Sequence, residues 1–120
     1  MAKKRILLIE DEAELNRAIK IRLEAAGFET ISAMDGKEGM DMARKEKPDL
    51  IVLDLMLPSM SGFDICRKLK IDKEYKDIPI IMLTAKFQPS DIRFGVAMGS
   101  DAYITKPCES QELFTKIGEL

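Results

Sequence analysis

One stretch constrains this chain more than any other: Leu50-Ile51-Val52-Leu53-Asp54-Leu55-Met56-Leu57-Pro58. Four apolar residues run without interruption into an aspartate, and a proline closes the run four residues later. A short continuous apolar run bounded by a turn signal suits a strand buried on both faces. Such a strand ends at the carboxyl edge of its sheet, where open α/β folds bind their ligands. Asp54 is therefore expected at the rim of a dry strand, and as the chemically active residue.

The rest of the chain alternates around that strand. Ile6 to Ile9 reads as a second buried strand, ending at Glu10 and Asp11. Glu12 to Ala26 places Leu15, Ala18, Ile19, Leu23 and Ala26 on one helical face, with Gly27 as its stop. Phe28 to Ala33 is a short strand. Asp35 and Glu38 have capping-box spacing for a helix to about Glu46, which Pro48 closes. Ser61 and Asp64 repeat that logic for a helix to about Lys70, with Phe63, Cys66 and Leu69 as its inner face. A polar loop, Ile71 to Asp77, leads to a strand over Ile80 to Thr84, and Pro79 sits at its start, where a missing N–H does least harm. Ser90 caps a helix to Gly99, Ala102 to Thr105 is a fifth strand, and Glu109 to Leu120 is the last helix, with Leu113, Phe114, Ile117 and Leu120 at helical spacing. Five strands alternating with five helices predict an α/β domain with a doubly wound parallel sheet. At 120 residues the chain is one domain, 1–120, large enough to bury a core without staples.

Composition narrows the function classes. A net charge of −2, with 33% charged and 46% hydrophobic residues, gives no bulk attraction to nucleic acid. The basic Met1 to Arg5 is followed by an apolar run too short for a signal peptide or a membrane span. Cys66 and Cys108 sit in no metal spacing and are expected as reduced thiols of a cytoplasmic protein. There is no histidine, which removes imidazole acid–base chemistry and the commonest transition-metal ligand.

Right-handed crossovers put the carboxyl ends of parallel strands on one edge. Glu10, Asp11, Asp54, Thr84 and Lys106 are accordingly expected on one rim. Singly, each has an ordinary explanation: acids at a helix N-terminus, a strand-end threonine, a solvated lysine. Their convergence on strand ends is what favours a site. Carboxylates gathered closely need a proton or a cation among them. An all-oxygen set selects a hard ion, and Mg²⁺ fits best. With Thr84 and Lys106 these are the parts needed to bind a transferring phosphoryl group, and Asp54 is a competent nucleophile for it.

Five pieces carry a family resemblance: Ile9-Glu10-Asp11-Glu12, Leu53-Asp54-Leu55-Met56-Leu57-Pro58, Met60-Ser61-Gly62, Leu83-Thr84-Ala85 and Tyr103-Ile104-Thr105-Lys106-Pro107. In this order and spacing the chain resembles a response-regulator receiver domain, the phosphorylated half of bacterial two-component signalling, across essentially its whole length. The resemblance implies a flavodoxin-like sheet of strand order 2-1-3-4-5. It implies that Asp54 accepts a phosphoryl group from a sensor histidine kinase, a phosphotransfer protein or a small phosphodonor. It further implies Mg²⁺ (or Mn²⁺) held by Asp11 and Asp54 directly, by Glu10 through water and by the backbone carbonyl of Met56. Thr84 and Lys106 would contact the phosphoryl oxygens. Thr84 and Tyr103 would switch, Lys106–Pro107 would be a cis peptide, and Met56 and Lys86 would tune the lifetime of the phosphorylated state. The face built from the Ser90–Gly99 helix, the fifth strand and the last helix would be remodelled for a partner. The domain would catalyse nothing beyond its own phosphorylation and dephosphorylation.

Two residues depart from the family pattern: Glu10 stands where aspartate is commonest, and Cys108 where phenylalanine usually follows Lys-Pro. The Ser90–Gly99 helix is apolar nearly all round. Ile92, Phe94 and Met98 are therefore expected as a partner surface, for another protein or for a phosphorylation-dependent homodimer. Its composition also departs from the charged surface typical of winged-helix regulators. No direct nucleic-acid or membrane contact is expected of this domain. Two other classes compete. A phosphatase using an aspartyl-phosphate would want a second acid two residues after the nucleophile, where Met56 stands. A flavin- or nucleotide-binding module would want a Gly, Ser and Thr-rich loop after the first strand, where Glu10-Asp11-Glu12-Ala13-Glu14 would repel phosphate.

Overall fold

The computed structural model describes residues 4–55, 57–84, 101–105 and 110–119, with backbone alone at 84, 103, 105 and 110–112. In chain order the elements are β1 (Arg5–Ile9), α1 (Ala13–Ala25), β2 (Glu29–Ala33), α2 (Gly36–Glu46), β3 (Leu50–Asp54), α3 (Gly62–Lys70), β4 (Ile80–Thr84), β5 (Ala102–Thr105) and α4 (Ser110–Glu119). The strands form one sheet of order β2-β1-β3-β4-β5, every pairing parallel. This is the expected α/β architecture. The helix expected over Ser90–Gly99 lies outside the described residues.

Strand side chains alternate between two faces, and the core divides accordingly. Leu7, Ile9, Ile51, Leu53, Ile80 and Met82 share one layer with Met40 and Ala43 of α2 and Ile65, Cys66 and Leu69 of α3. Ile6, Leu8, Leu50, Val52, Ile81 and Leu83 share the other with Ile19 and Leu23 of α1 and Leu113 and Ile117 of α4. All five residues of β3 are buried, as a central strand covered on both faces requires.

Local signals set the ends of these elements. Gly27 takes φ 99°, and α1 closes through Gly27 N–H to Glu24 O (3.0 Å) and Phe28 N–H to Leu23 O (3.1 Å). That pair of bonds is a Schellman motif, which satisfies the last carbonyls of the helix. Asp35 caps α2 by accepting from Glu38 N–H at 2.8 Å, and Ser61 caps α3 by accepting from Asp64 N–H at 3.2 Å. Two expected inner faces differ at single positions. In α1 the buried positions are Asn16, Ile19 and Leu23, while Leu15 is half-buried and Ala26, as the C-cap, is exposed. In α3 Ile65 is buried and Phe63 only partly so.

Candidate metal and phosphoacceptor site

In-register parallel pairing aligns the strand ends. Ile9 lies opposite both Ala33 and Leu53, Asp54 opposite Leu83, and Thr84 opposite Thr105. The residue after Ile9 and the last residue of β3 therefore emerge side by side at the carboxyl edge. There Glu10, Asp11 and Asp54 each offer a carboxylate oxygen, all within 4.8 Å of one another. Glu10 is 0% exposed and Asp54 2%, whereas Asp11 is exposed. The expected acid cluster is thus assembled, with two members inside the protein and one open to solvent.

Glu10 is held from three directions. Its N–H donates to Ala33 O (3.1 Å), its Oε2 accepts from Glu12 N–H (2.9 Å), and its carbonyl accepts from Asn16 Nδ2 (2.9 Å). The same Asn16 amide also donates to Ala33 O at 3.2 Å. Asn16 therefore ties α1 to the ends of β1 and β2 directly beneath the cluster. Sequence reading missed it. The signal was a polar residue at helical spacing with Ile19 and Leu23, on a stripe otherwise apolar.

The residue after Asp54 is fixed through its backbone. Leu55 N–H donates to Leu83 O (3.0 Å), and Gly62 N–H donates to Leu55 O (3.0 Å). Gly62 approaches so closely that a Cβ there would lie 2.2 Å from Asp54 O and 2.9 Å from Leu55 Cα. Any side chain at 62 would push α3 off the strand end.

Thr84 and Tyr103 fall where expected, at the end of β4 and within β5 opposite Met82. Met56, Lys86, Ile92, Phe94, Met98, Lys106, Pro107 and Cys108 lie outside the described residues.

Three carboxylates held this close, two of them buried, repel strongly in a low-dielectric setting, and a cation among them relieves that repulsion. The donors are all oxygen, the set taken by a hard divalent ion that keeps part of its water shell. The cluster fits Mg²⁺ on that chemistry, and the exposed Asp11 leaves a solvent-facing side.

Fold and cluster together define a doubly wound α/β domain with an acidic ligand site at its carboxyl edge. The family model for the response regulator receiver domain matches residues 6–118, and the chain belongs to this family, the regulatory domain of two-component signalling. It is 43% identical over 117 residues to the probable transcriptional regulator ycf27 of Porphyridium aerugineum, covering 98% of this chain and 48% of the relative. It is 41% identical over 116 residues to the DNA-binding dual master transcriptional regulator RpaA of Synechocystis sp., covering 97% of this chain and 48% of that one. Among solved structures, chemotaxis protein CheY4 of Vibrio cholerae matches with a TM-score of 0.92 at 29% identity, over 98% of both chains. The chain spans about half the length of the curated relatives it matches. Among the described residues no helix is long and apolar enough to cross a membrane.

Proposed function

We propose that residues 1–120 form a single receiver domain that accepts a phosphoryl group on Asp54, and that Mg²⁺ bound by Glu10, Asp11, Asp54 and the Met56 carbonyl is required. The observation that carries this is the gathering of Glu10, Asp11 and the 2%-exposed Asp54 at the end of the central strand. A carboxylate oxygen of Asp54 forms the new O–P bond as the P–N bond of a kinase phosphohistidine breaks, and the leaving imidazole keeps the electron pair and takes a proton. Bound Mg²⁺ supplies positive charge to the phosphoryl oxygens. The protein holds Asp54 immobile, keeps its strand dry, and presents Thr84 and Lys106 as the groups that read the phosphoryl oxygens. A sensor histidine kinase or phosphotransfer protein is the donor, and the switch passes through Thr84 and Tyr103 to a partner face that includes Ile92, Phe94 and Met98.

The output belongs to the same proposal. The apolar composition of the 90–99 segment leans away from a winged-helix effector. The relatives, named as transcriptional and DNA-binding regulators, weigh the other way. No nucleic-acid contact is assigned to this domain itself.

The test is chemical. With acetyl phosphate and Mg²⁺, the intact mass rises by one phosphoryl group, about 80 Da, and Asp54→Asn loses most of that gain. Equal labelling of the variant overturns the assignment. Lys106→Ala keeps the fold and still labels, but its output face no longer responds.

A further inference from the structure

The segment after Asp54 is anchored at both ends. On the sheet side Leu55 is bonded to Leu83 and to Gly62. On the other side it meets the start of α2. Gly36 N–H donates to Pro58 O (3.1 Å), and Lys37 N–H donates to Ser59 Oγ (3.2 Å). Ser59 Oγ in turn donates to Asp35 Oδ1 (3.4 Å), the same oxygen that caps Glu38 N–H. A Cβ on Gly36 would sit 2.2 Å from Met60 O and 2.8 Å from Met60 Cβ, so backbone lies against backbone there.

A helix opens with N–H groups that have no partner inside it. Here the first two such donors of α2 bond to the segment following β3, and the third goes to the cap. Ser59 accepts a left-handed backbone, φ 68°, a conformation that disfavours side chains, and its hydroxyl is the atom engaged by α2. The helix itself is a rigid post. Met40 and Ala43 are buried in the core, and Gly39 packs so tightly on Ile9 that a Cβ would lie 2.6 Å from its Cδ1.

We infer that the start of α2, through Gly36 and the Ser59 hydroxyl, is a positioning element that presets the segment after Asp54 for divalent-cation binding at the acid cluster. This rests on the metal site proposed above, because Met56, whose carbonyl that reading uses, falls in sequence between the Leu55 and Pro58 anchors. A segment whose flanking residues, Leu55 and Pro58, are already bonded has less freedom to lose when an ion arrives, and supports of this kind govern affinity without touching the ion.

The experiment titrates Mg²⁺ alone into the purified protein by calorimetry, beside thermal melts without metal. Ser59→Gly removes the hydroxyl while accommodating the left-handed backbone, and it weakens Mg²⁺ binding roughly tenfold while the metal-free protein still melts cooperatively. Gly36→Ala, which displaces Met60, weakens binding at least as much. Asp11→Ala is the control for the site itself. If Asp11→Ala loses Mg²⁺ while Ser59→Gly binds like the parent, the positioning role is overturned and the metal site stands. If Asp11→Ala also binds like the parent, the metal site falls and this inference with it.

Discussion

Asn16 donates both amide hydrogens to main-chain carbonyls, one at the end of β1 and one at the end of β2. Replacing it with Leu keeps the volume but removes the amide donor to Glu10 O and one of the two donors to Ala33 O. We expect Asn16→Leu to cost about 1–3 kcal/mol by urea denaturation and to weaken Mg²⁺ binding, because Glu10 is one of the residues it steadies. Cys66 shows the opposite chemistry. Burial, opposed by nearby Lys70 and assisted by Asp101, pushes its thiol up to about 11 from 9.0. The folded state thus holds the proton more tightly than the unfolded chain does. The stabilisation, about 3 kcal/mol at most, is complete below the unfolded value and is lost as pH climbs toward the folded one. Urea midpoints at neutral pH and at about pH 10 should therefore diverge more for the parent than for Cys66→Ala; equal divergence would show that the thiol is not responsible.

At the scale of elements, one cluster fastens the sheet end opposite the acid site. Lys70 Nζ donates to Ile78 O (2.9 Å), Lys76 O (3.2 Å) and Asp101 Oδ2 (2.7 Å), and Asp101 Oδ2 also accepts from Ile80 N–H (2.8 Å). With Lys70 only 15% exposed, this pair joins the end of α3, the start of β4 and the entry to β5. Asp101→Ala should cost about 2 kcal/mol, because it takes the carboxylate partner from the Lys70 charge and the acceptor from the Ile80 N–H. Glu74→Ala, which removes an ion pair to Lys47 whose partners are both more than half exposed, should leave the denaturation midpoint unchanged. The contrast marks what was readable beforehand. Gly27, Asp35, Ser61 and Pro79 announce element ends within a few residues of themselves, and alternating apolar runs announce the strands. The three carboxylates were legible for the same reason, since each follows directly from a strand end. Lys70 and Asp101 lie 31 residues apart, and no local pattern pairs them. Ser59 was equally silent: a left-handed turn is usually marked by glycine or asparagine, and here the compensating bonds come from α2 across the fold.

For the molecule as a whole, ion binding and folding stability are linked. An ion that prefers the folded state at tenfold its dissociation constant adds about 1.4 kcal/mol, which raises the melting temperature by roughly 4–6 °C in a chain of this size. Asp11→Ala should cancel that rise in thermal melts, and a gain that survives the substitution would move the ion elsewhere. The position of β3 carries a separate consequence. It has a strand on either side, a helical layer above and below, and all five residues buried. Its amides should be among the last in the chain to exchange for solvent deuterium, opening only when the whole domain opens. The chemistry proposed for Asp54 would then be performed on the stillest part of the molecule. On the proposed function, a signal written there would travel by rearranging what is attached around the strand, and the deuterium uptake of β3 itself should stay the same on phosphorylation.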